Sequence, residues 1–180
     1  MNIVLIGYRC SGKTTAGKAL ARQLRKEFLD TDALIERRAG CSIEEMVSKE
    51  GWDHFRKLEK RIIRQTSSID NMVIATGGGA VVDEENVKNL KKNGWIVWLD
   101  GTPEVLRKRM VQEKRSGRGR PSLTGLDPLE EIRLVLEPRI PFYEKAKDYV
   151  VDTSVLSIQG VTASIVEFLP EKLRGNGDGR

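Results

Sequence analysis

The sequence predicts an α/β fold, a parallel sheet with helices on both faces. Three observations predict it. Five short strand-like runs recur along the 180 residues. Between them lie segments whose apolar residues repeat at helical spacing, and that alternation is the signature of a parallel sheet. A glycine-bracketed stretch, "GYRCSGKTT" at residues 7–15, sits where the first run ends and the first helical pattern begins.

The first run is "NIVLI", residues 2–6. It is unbroken and rich in β-branched residues, as a strand buried on both faces should be. Beyond the glycine stretch Ala16, Ala19, Leu20 and Leu24 fall on one helical face. Further strand-like runs are "EFLD" (27–30), "NMVIAT" (71–76), "GWIVWLD" (94–100) and "DYVVD" (148–152). Helical faces between them are Phe55, Leu58 and Ile62; Val105, Leu106 and Met110; Ile132, Val135 and Leu136; and Ile158, Val161, Ile165 and Leu169. "RKRMVQEKRSGRGRPSLTG" (107–125) starts helical, then turns basic and glycine-rich, which suits a mobile loop better than a core. The closing "GNGDGR" reads as a frayed polar tail. No internal repeat is present, and the length suits one domain over 1–180.

Composition excludes several classes. At 39% hydrophobic and 32% charged residues the chain is an ordinary globular protein. No apolar run approaches membrane-spanning length, and no basic segment precedes an apolar one as in a signal peptide, so a cytoplasmic protein is expected. Cys10 and Cys41 are the only cysteines, too few for a disulfide scaffold and consistent with a reducing compartment. The nearby helix end would favour a thiolate at Cys10, but the thiol reads as a bystander. His54 is the sole histidine, which rules out a histidine-rich metal site. Trp95 and Trp98 lie in a strand-like run and are expected in the core. The net charge of +5 suits anionic ligands in general.

The glycine stretch fits GxxxxGK[ST] between strand and helix, the context that the motif requires. Gly7 and Gly12 let backbone amides turn inward as a nest for phosphate oxygens. The helix starting near Lys13 adds its free N–H groups and positive end. Lys13 can reach the β- and γ-phosphates of a nucleoside triphosphate, and the Thr14 hydroxyl can ligate Mg²⁺. The cofactor-binding set is Gly7, Arg9, Cys10, Ser11, Gly12, Lys13, Thr14 and Thr15.

Four other constellations carry chemistry, each with a plainer reading beside it. In "FLDTDALIE" Asp30 and Asp32 close a strand. One carboxylate can hold Mg²⁺ and the other accept a proton from an attacking hydroxyl; alternatively they cap a helix. In "FRKLE" Glu59 can hold the Arg56 guanidinium flat for a substrate anion, or the two form a surface ion pair. In "ATGGGAV" Gly77, Gly78 and Gly79 suggest close backbone approach to a ligand, or a simple turn. In "EPRIPFYEKA" Pro138 and Pro141 can aim Arg139, or mark a kinked surface helix. The basic "SGRGRPS" (116–122) resembles a minor-groove arm. It is single and embedded between helical segments, so it reads instead as a lid over triphosphate, and no nucleic-acid partner is expected.

In order and spacing, "GYRCSGKT", "LDTD", "FRKLE", "GGGA", "GRP" and "PRIPFY" together resemble the shikimate kinase family, from Gly7 to about Asp152. That resemblance implies a three-layer α/β/α fold with a five-stranded parallel sheet of the nucleoside monophosphate kinase type. It implies a substrate-binding region at about 31–65 and a mobile lid at about 110–125. It implies transfer of a phosphoryl group from ATP to the 3-hydroxyl of shikimate, by a monomer with no membrane partner, in chorismate biosynthesis. Lys13, Asp32 and Arg120 then carry catalysis, Asp32 as the base and Arg120 as the lid arginine on the phosphates. Thr14 and Asp30 support Mg²⁺. Arg56 and Arg139 clamp the shikimate carboxylate, with Gly77, Gly78 and Gly79 beside the ring. The chain departs from the family pattern in three places: "GW" with Trp52 replaces "GE", "RPSL" replaces "RPLL", and the run from Arg109 to Arg120 is longer. Two other readings are a small-molecule kinase of the gluconate kinase kind and a non-catalytic nucleotide-binding module.

Overall fold

The computed structural model describes residues 1–115 and 127–174. Its centre is a sheet of five parallel strands: β1 (Asn2–Ile6), β2 (Glu27–Asp30), β3 (Met72–Ala75), β4 (Gly94–Asp100) and β5 (Tyr149–Asp152), in the order β2-β3-β1-β4-β5. All five match strand-like runs in the sequence. β1 lies in the middle and is buried along its whole length, which is why "NIVLI" carries no polar alternation.

Successive β1 residues point to opposite faces, as strand geometry requires. Ile3 and Leu5 pack with Leu20 of α1 (Lys13–Gln23) and with Val161 and Ile165 of α8 (Ile158–Glu167). Val4 and Ile6 face the other way. They join Ile63 of α3 (Ile43–Ser67), Leu90 of α4 (Glu84–Lys92), Leu106 of α5 (Pro103–Arg115), Ile132 of α6 (Pro128–Leu136) and Tyr143 of α7 (Ile140–Ala146). The architecture is therefore the three-layer α/β/α arrangement. Trp95 and Trp98 are buried on opposite faces of β4, as expected.

A third, smaller core joins α2 (Thr31–Ala39) to α3 through Leu34, Ile35, Met46, Phe55 and Ile62. α3 begins with a capping box between Ser42 and Glu45. Gly51, at φ 81°, interrupts it before its longer second part. α4 follows an Asp83 cap whose side chain accepts from the amides of Glu85 and Asn86. Its few apolar residues explain why it carries no clear helical face in the sequence.

After β3 the chain crosses to the far side of β1. The carboxyl end of β1 thus lies where the connections diverge, the place at which open α/β sheets bind ligands. Among the described residues no helix is long and apolar enough to cross a membrane. The tail at 175–180, Arg120, the basic "SGRGRPS" and most of the segment expected as a lid lie outside the described residues; α5 runs to their edge.

Candidate active site

The loop from Gly7 to Gly12 leaves β1 under tight constraints. Gly7 has φ 140°, and a Cβ there would sit 2.4 Å from the carbonyl oxygen of Leu99. Only glycine fits such a position. Gly12 caps α1 in the left-handed region with no side-chain cap, and the first turn of α1 carries no acidic residue. The first-turn amides are therefore unclaimed by any carboxylate of that turn, as an anion-binding helix end requires. Lys13 is buried, and its Nζ donates to the carbonyls of Gly7 (2.8 Å) and Tyr8 (2.7 Å). Ser11 is buried in the loop, while Thr14 and Thr15 are exposed on the first helical turn.

The Thr14 hydroxyl donates to Asp30 Oδ2 at 2.8 Å. Asp30 Oδ1 accepts from the amides of Asp32 (3.1 Å) and Ala33 (3.3 Å), capping α2. The cap reading of Asp30 therefore holds for Oδ1, while Oδ2 is taken by the Thr14 hydroxyl. Thr14 and Asp30 present hard oxygen donors. Among the described residues no group of three or more His, Cys, Asp or Glu side chains gathers as a cage. A cation that takes one or two protein oxygens plus substrate phosphates suits that donor set.

Asp32 is buried in the first turn of α2. One helix over, Arg56 Nη1 donates to Glu59 Oε2 at 2.5 Å. The Glu59 side chain is only 1% exposed, which corrects the surface-pair reading. Burial pushes the Glu59 carboxyl above its usual range, Asp32 pushes it further, and Arg56 and Arg139 pull it back. The three glycines explain how these charges come so close. A Cβ on Gly77 would lie 2.6 Å from Asp32 Oδ1 and 2.9 Å from Glu59 Oε1. One on Gly79 would lie 2.5 Å from Arg56 Nη2, and Gly78 packs on the backbone of Arg9 and Gly7. The glycines make room for the cluster's own side chains as well as seating it against the loop.

Arg139 ends a short 3-10 turn (Glu137–Arg139) between α6 and α7. The two prolines thus fall at a break in regular helix, Pro138 inside the 3-10 turn and Pro141 in the first turn of α7. Arg139 acts electrostatically on Glu59, Tyr8 and Tyr143, so it shares the cluster of Arg56. The Tyr143 hydroxyl, four residues on, donates to the carbonyl of Gly78 at 2.5 Å. Burial pushes this phenol up, opposed by Arg139.

Three positions in and around the loop went differently from the simplest sequence reading. Arg9 pairs with Glu131 of α6 at 2.9 Å, and that carboxylate is 1% exposed. The Cys10 thiol, at φ 61°, donates to Glu113 Oε2 at 3.3 Å. Burial, then the Glu113 carboxylate, push it up to about 12. The helix end is outweighed, so the thiolate expectation is corrected and the bystander reading stands. Arg109 donates to the Thr153 carbonyl (2.6 Å), to the Thr153 hydroxyl (3.1 Å) and to the Cys10 carbonyl (3.4 Å), tying α5 to the loop. Sequence reasoning missed Arg109, Glu131 and Tyr143. Tyr143 had a signal, one helical turn beyond Arg139; the other two are joined only by the fold.

The site thus unites a phosphate-type loop with Asp30, Asp32, Arg56, Glu59, the three glycines and Arg139, drawn from five separate segments. The family model described as shikimate kinase matches residues 9–170. A shikimate kinase of Caldanaerobacter subterraneus subsp. tengcongensis is 44% identical over 165 residues, covering 92% of this chain and 94% of the relative. A solved shikimate kinase from Acinetobacter baumannii, in complex with shikimate, superposes with a TM-score of 0.85 at 34% identity, covering 92% of this chain and 90% of that one. A gluconokinase from Sinorhizobium meliloti reaches a TM-score of 0.58 at 20% identity, with 92% and 89% coverage, and shares the fold alone. The cluster around Arg56 and the phosphate-type loop therefore stand on the chain of a nucleotide-using phosphotransferase, and this chain belongs to the shikimate kinase family.

Proposed function

We propose that this chain transfers the γ-phosphoryl group of ATP to the 3-hydroxyl of shikimate, giving shikimate 3-phosphate and ADP on the route to chorismate and the aromatic amino acids. The observation that carries this reading is the pair of Arg56 with buried Glu59 beside a phosphate-type loop, with Arg139 acting electrostatically on the same carboxylate. Gluconate carries a carboxylate too; what favours shikimate over it is the 34% identity to the solved shikimate kinase against 20% to the gluconokinase, and a mere nucleotide-binding module has no use for Asp32.

The residue roles follow from the geometry. Backbone amides of the loop and the first turn of α1 bind triphosphate oxygens, with Arg9, Cys10, Ser11 and Thr15 in that cradle. Lys13 exchanges its carbonyl partners for the β- and γ-phosphates and follows the charge as the phosphoryl group moves. Thr14 and Asp30 would hold Mg²⁺, which when bound neutralises phosphate charge during transfer. Asp32 takes the proton of the attacking hydroxyl, and its burial next to Gly77 keeps water from competing for it. Arg56, oriented by Glu59, and Arg139 bind the shikimate carboxylate, with Gly78 and Gly79 beside the ring. Region 31–65 serves the acceptor, and Arg120 completes the phosphate contacts from the segment at about 110–125. The working unit on this reading is a monomer.

A coupled assay of ADP release tests the reading. ATP turnover should depend on shikimate and on Mg²⁺, and gluconate should not replace shikimate. Turnover with gluconate and none with shikimate would reject it.

A further inference from the structure

Trp52 stands where the family resemblance leads one to expect an acidic residue, and it is 43% exposed. A large indole left in solvent contributes little to the core, so its position needs another account. It lies four residues before Arg56, on the same face of α3, immediately after the break at Gly51. The Arg56 guanidinium carbon is 5.5 Å from the Trp52 ring centroid and 5.1 Å from that of Phe55. The two rings stand 5.7 Å apart at 85° to one another. They form a two-walled corner with the guanidinium against both walls.

The other contacts of Arg56 do not do what this corner does. Glu59 accepts from one nitrogen, Nη1. A single such bond fixes a point and leaves the plane free to turn about it. Gly79 supplies bare backbone on the Nη2 side but no bond. Phe55 is 3% exposed and belongs to the small core between α2 and α3, so it gives one fixed wall. Trp52 gives the second. A cation is attracted to a ring face, and two perpendicular rings hold a planar cation in one orientation. A bidentate grip on a carboxylate depends on that orientation. Gly51 serves the same end. It sits at φ 81°, and nothing lies within 4 Å of where its Cβ would be, so the residue answers a backbone requirement rather than a lack of space. That bend starts the helical turn that carries Trp52.

We propose that Trp52 is a positioning residue for acceptor binding: its indole sets the plane of the Arg56 guanidinium, so that the fork is already aligned for the carboxylate of the acceptor. This rests on the assignment of Arg56 to the acceptor carboxylate. It predicts a particular split in the kinetics. Alignment of a binding group acts on acceptor affinity, leaves nucleotide affinity alone, and changes kcat far less than KM.

The test compares wild type, Trp52→Leu and Trp52→Phe, each also in an Arg56→Ala background. Shikimate and a non-hydrolysable ATP analogue are titrated separately by calorimetry, and KM and kcat are measured in parallel. Loss of an exposed cation–π contact should raise the shikimate Kd of Trp52→Leu by about 2- to 5-fold. Trp52→Phe should recover most of that affinity, because it keeps a ring face. In the Arg56→Ala background Trp52→Leu should add nothing, since the two residues act through one contact. The melting temperature should move by no more than about 2 °C, because the site is exposed. Trp52 is also the exposed member of three tryptophans, so shikimate should change the protein's fluorescence in wild type and not in Trp52→Phe. An unchanged shikimate Kd in Trp52→Leu would overturn the proposal, as would an equal loss in both backgrounds. A wild type that binds no shikimate would remove the acceptor assignment itself, and the Trp52 role with it.

Discussion

The two halves of the cleft are held by different kinds of contact. The donor half is backbone. Gly7 is pinned by the Leu99 carbonyl, Gly12 opens α1, and Lys13 is bonded to carbonyls six and five residues away. The acceptor half is side chain. Asp32, Arg56, Glu59 and Arg139 come from α2, α3 and the turn before α7, and Gly77 and Gly79 leave the room that Asp32, Glu59 and Arg56 occupy. A phosphate is recognised by amides that any sequence possesses, so glycine freedom is what that half must encode. A carboxylate and a hydroxyl need particular side chains at particular places. The donor half should therefore tolerate change in its side chains except at Lys13 and Thr14, whereas each acceptor residue should have its own kinetic signature.

The sharpest break should come at Asp32. Asp32→Asn keeps the shape and removes the proton acceptor, which costs about 10²- to 10⁴-fold in kcat. Steady-state kinetics should show kcat falling much more than KM rises. A change in KM alone would make Asp32 a binding group.

Lys13→Ala probes the donor half at one of its two essential side chains. Removing the charge that follows the γ-phosphoryl group should lower kcat by at least about 10²-fold. Circular dichroism should show the fold retained, since α1 is anchored by Ala16 and Leu20 in the core. Near-normal turnover in the folded variant would mean that the loop binds nucleotide without taking part in transfer.

The smallest effect on rate, and one of opposite sign on stability, belongs to Glu59. Its carboxyl is raised chiefly by burial. A raised folded-state value means that the folded protein holds the proton more tightly than the unfolded chain. The stabilisation is full below the unfolded value, about 4.3, and is lost as pH climbs through the raised one. Glu59→Gln carries no such penalty. At pH 4 wild type should match or exceed it in melting temperature, and by pH 8 Glu59→Gln should equal or exceed wild type. Its shikimate affinity should nevertheless drop by about tenfold, because a charge-assisted bond to Arg56 is lost. Melting curves across that pH range, paired with titrations, check both. A variant less stable at pH 8 than at pH 4, relative to wild type, would contradict the sign.

The same contrast explains what was legible in the sequence. The five strands and the donor half could be read because their signals are local. β-branched runs mark the strands, and nine consecutive residues spell the loop. Asp30 was harder, since an N-cap and a metal ligand call for the same residue type; the fold shows the cap, with the second oxygen on Thr14. Arg56 and Arg139 are 83 residues apart by number, and each alone has a surface reading; only the ordered set of motifs joined them. The Arg9–Glu131 and Arg109–Thr153 contacts could not be read at all, because helices α5 and α6 bring together segments with no shared pattern. At Cys10 only the thiolate reading failed, and for an energetic reason. Its neighbours Lys13 and Arg9 favour the thiolate, but burial and Glu113 weigh more.

The central claim is that acceptor recognition lies in two converging guanidinium groups, separate from the backbone that binds nucleotide. The direct measurement is calorimetric titration of Arg139→Ala and Arg56→Ala with shikimate and, separately, with a non-hydrolysable ATP analogue. Truncating one partner of a buried charge pair costs about 2–5 kcal/mol, and each 1.4 kcal/mol is about tenfold. Each variant should therefore bind shikimate at least about 30-fold more weakly and bind the ATP analogue as wild type does. Unchanged shikimate affinity in both variants, or an equal loss of both ligands, would contradict the account.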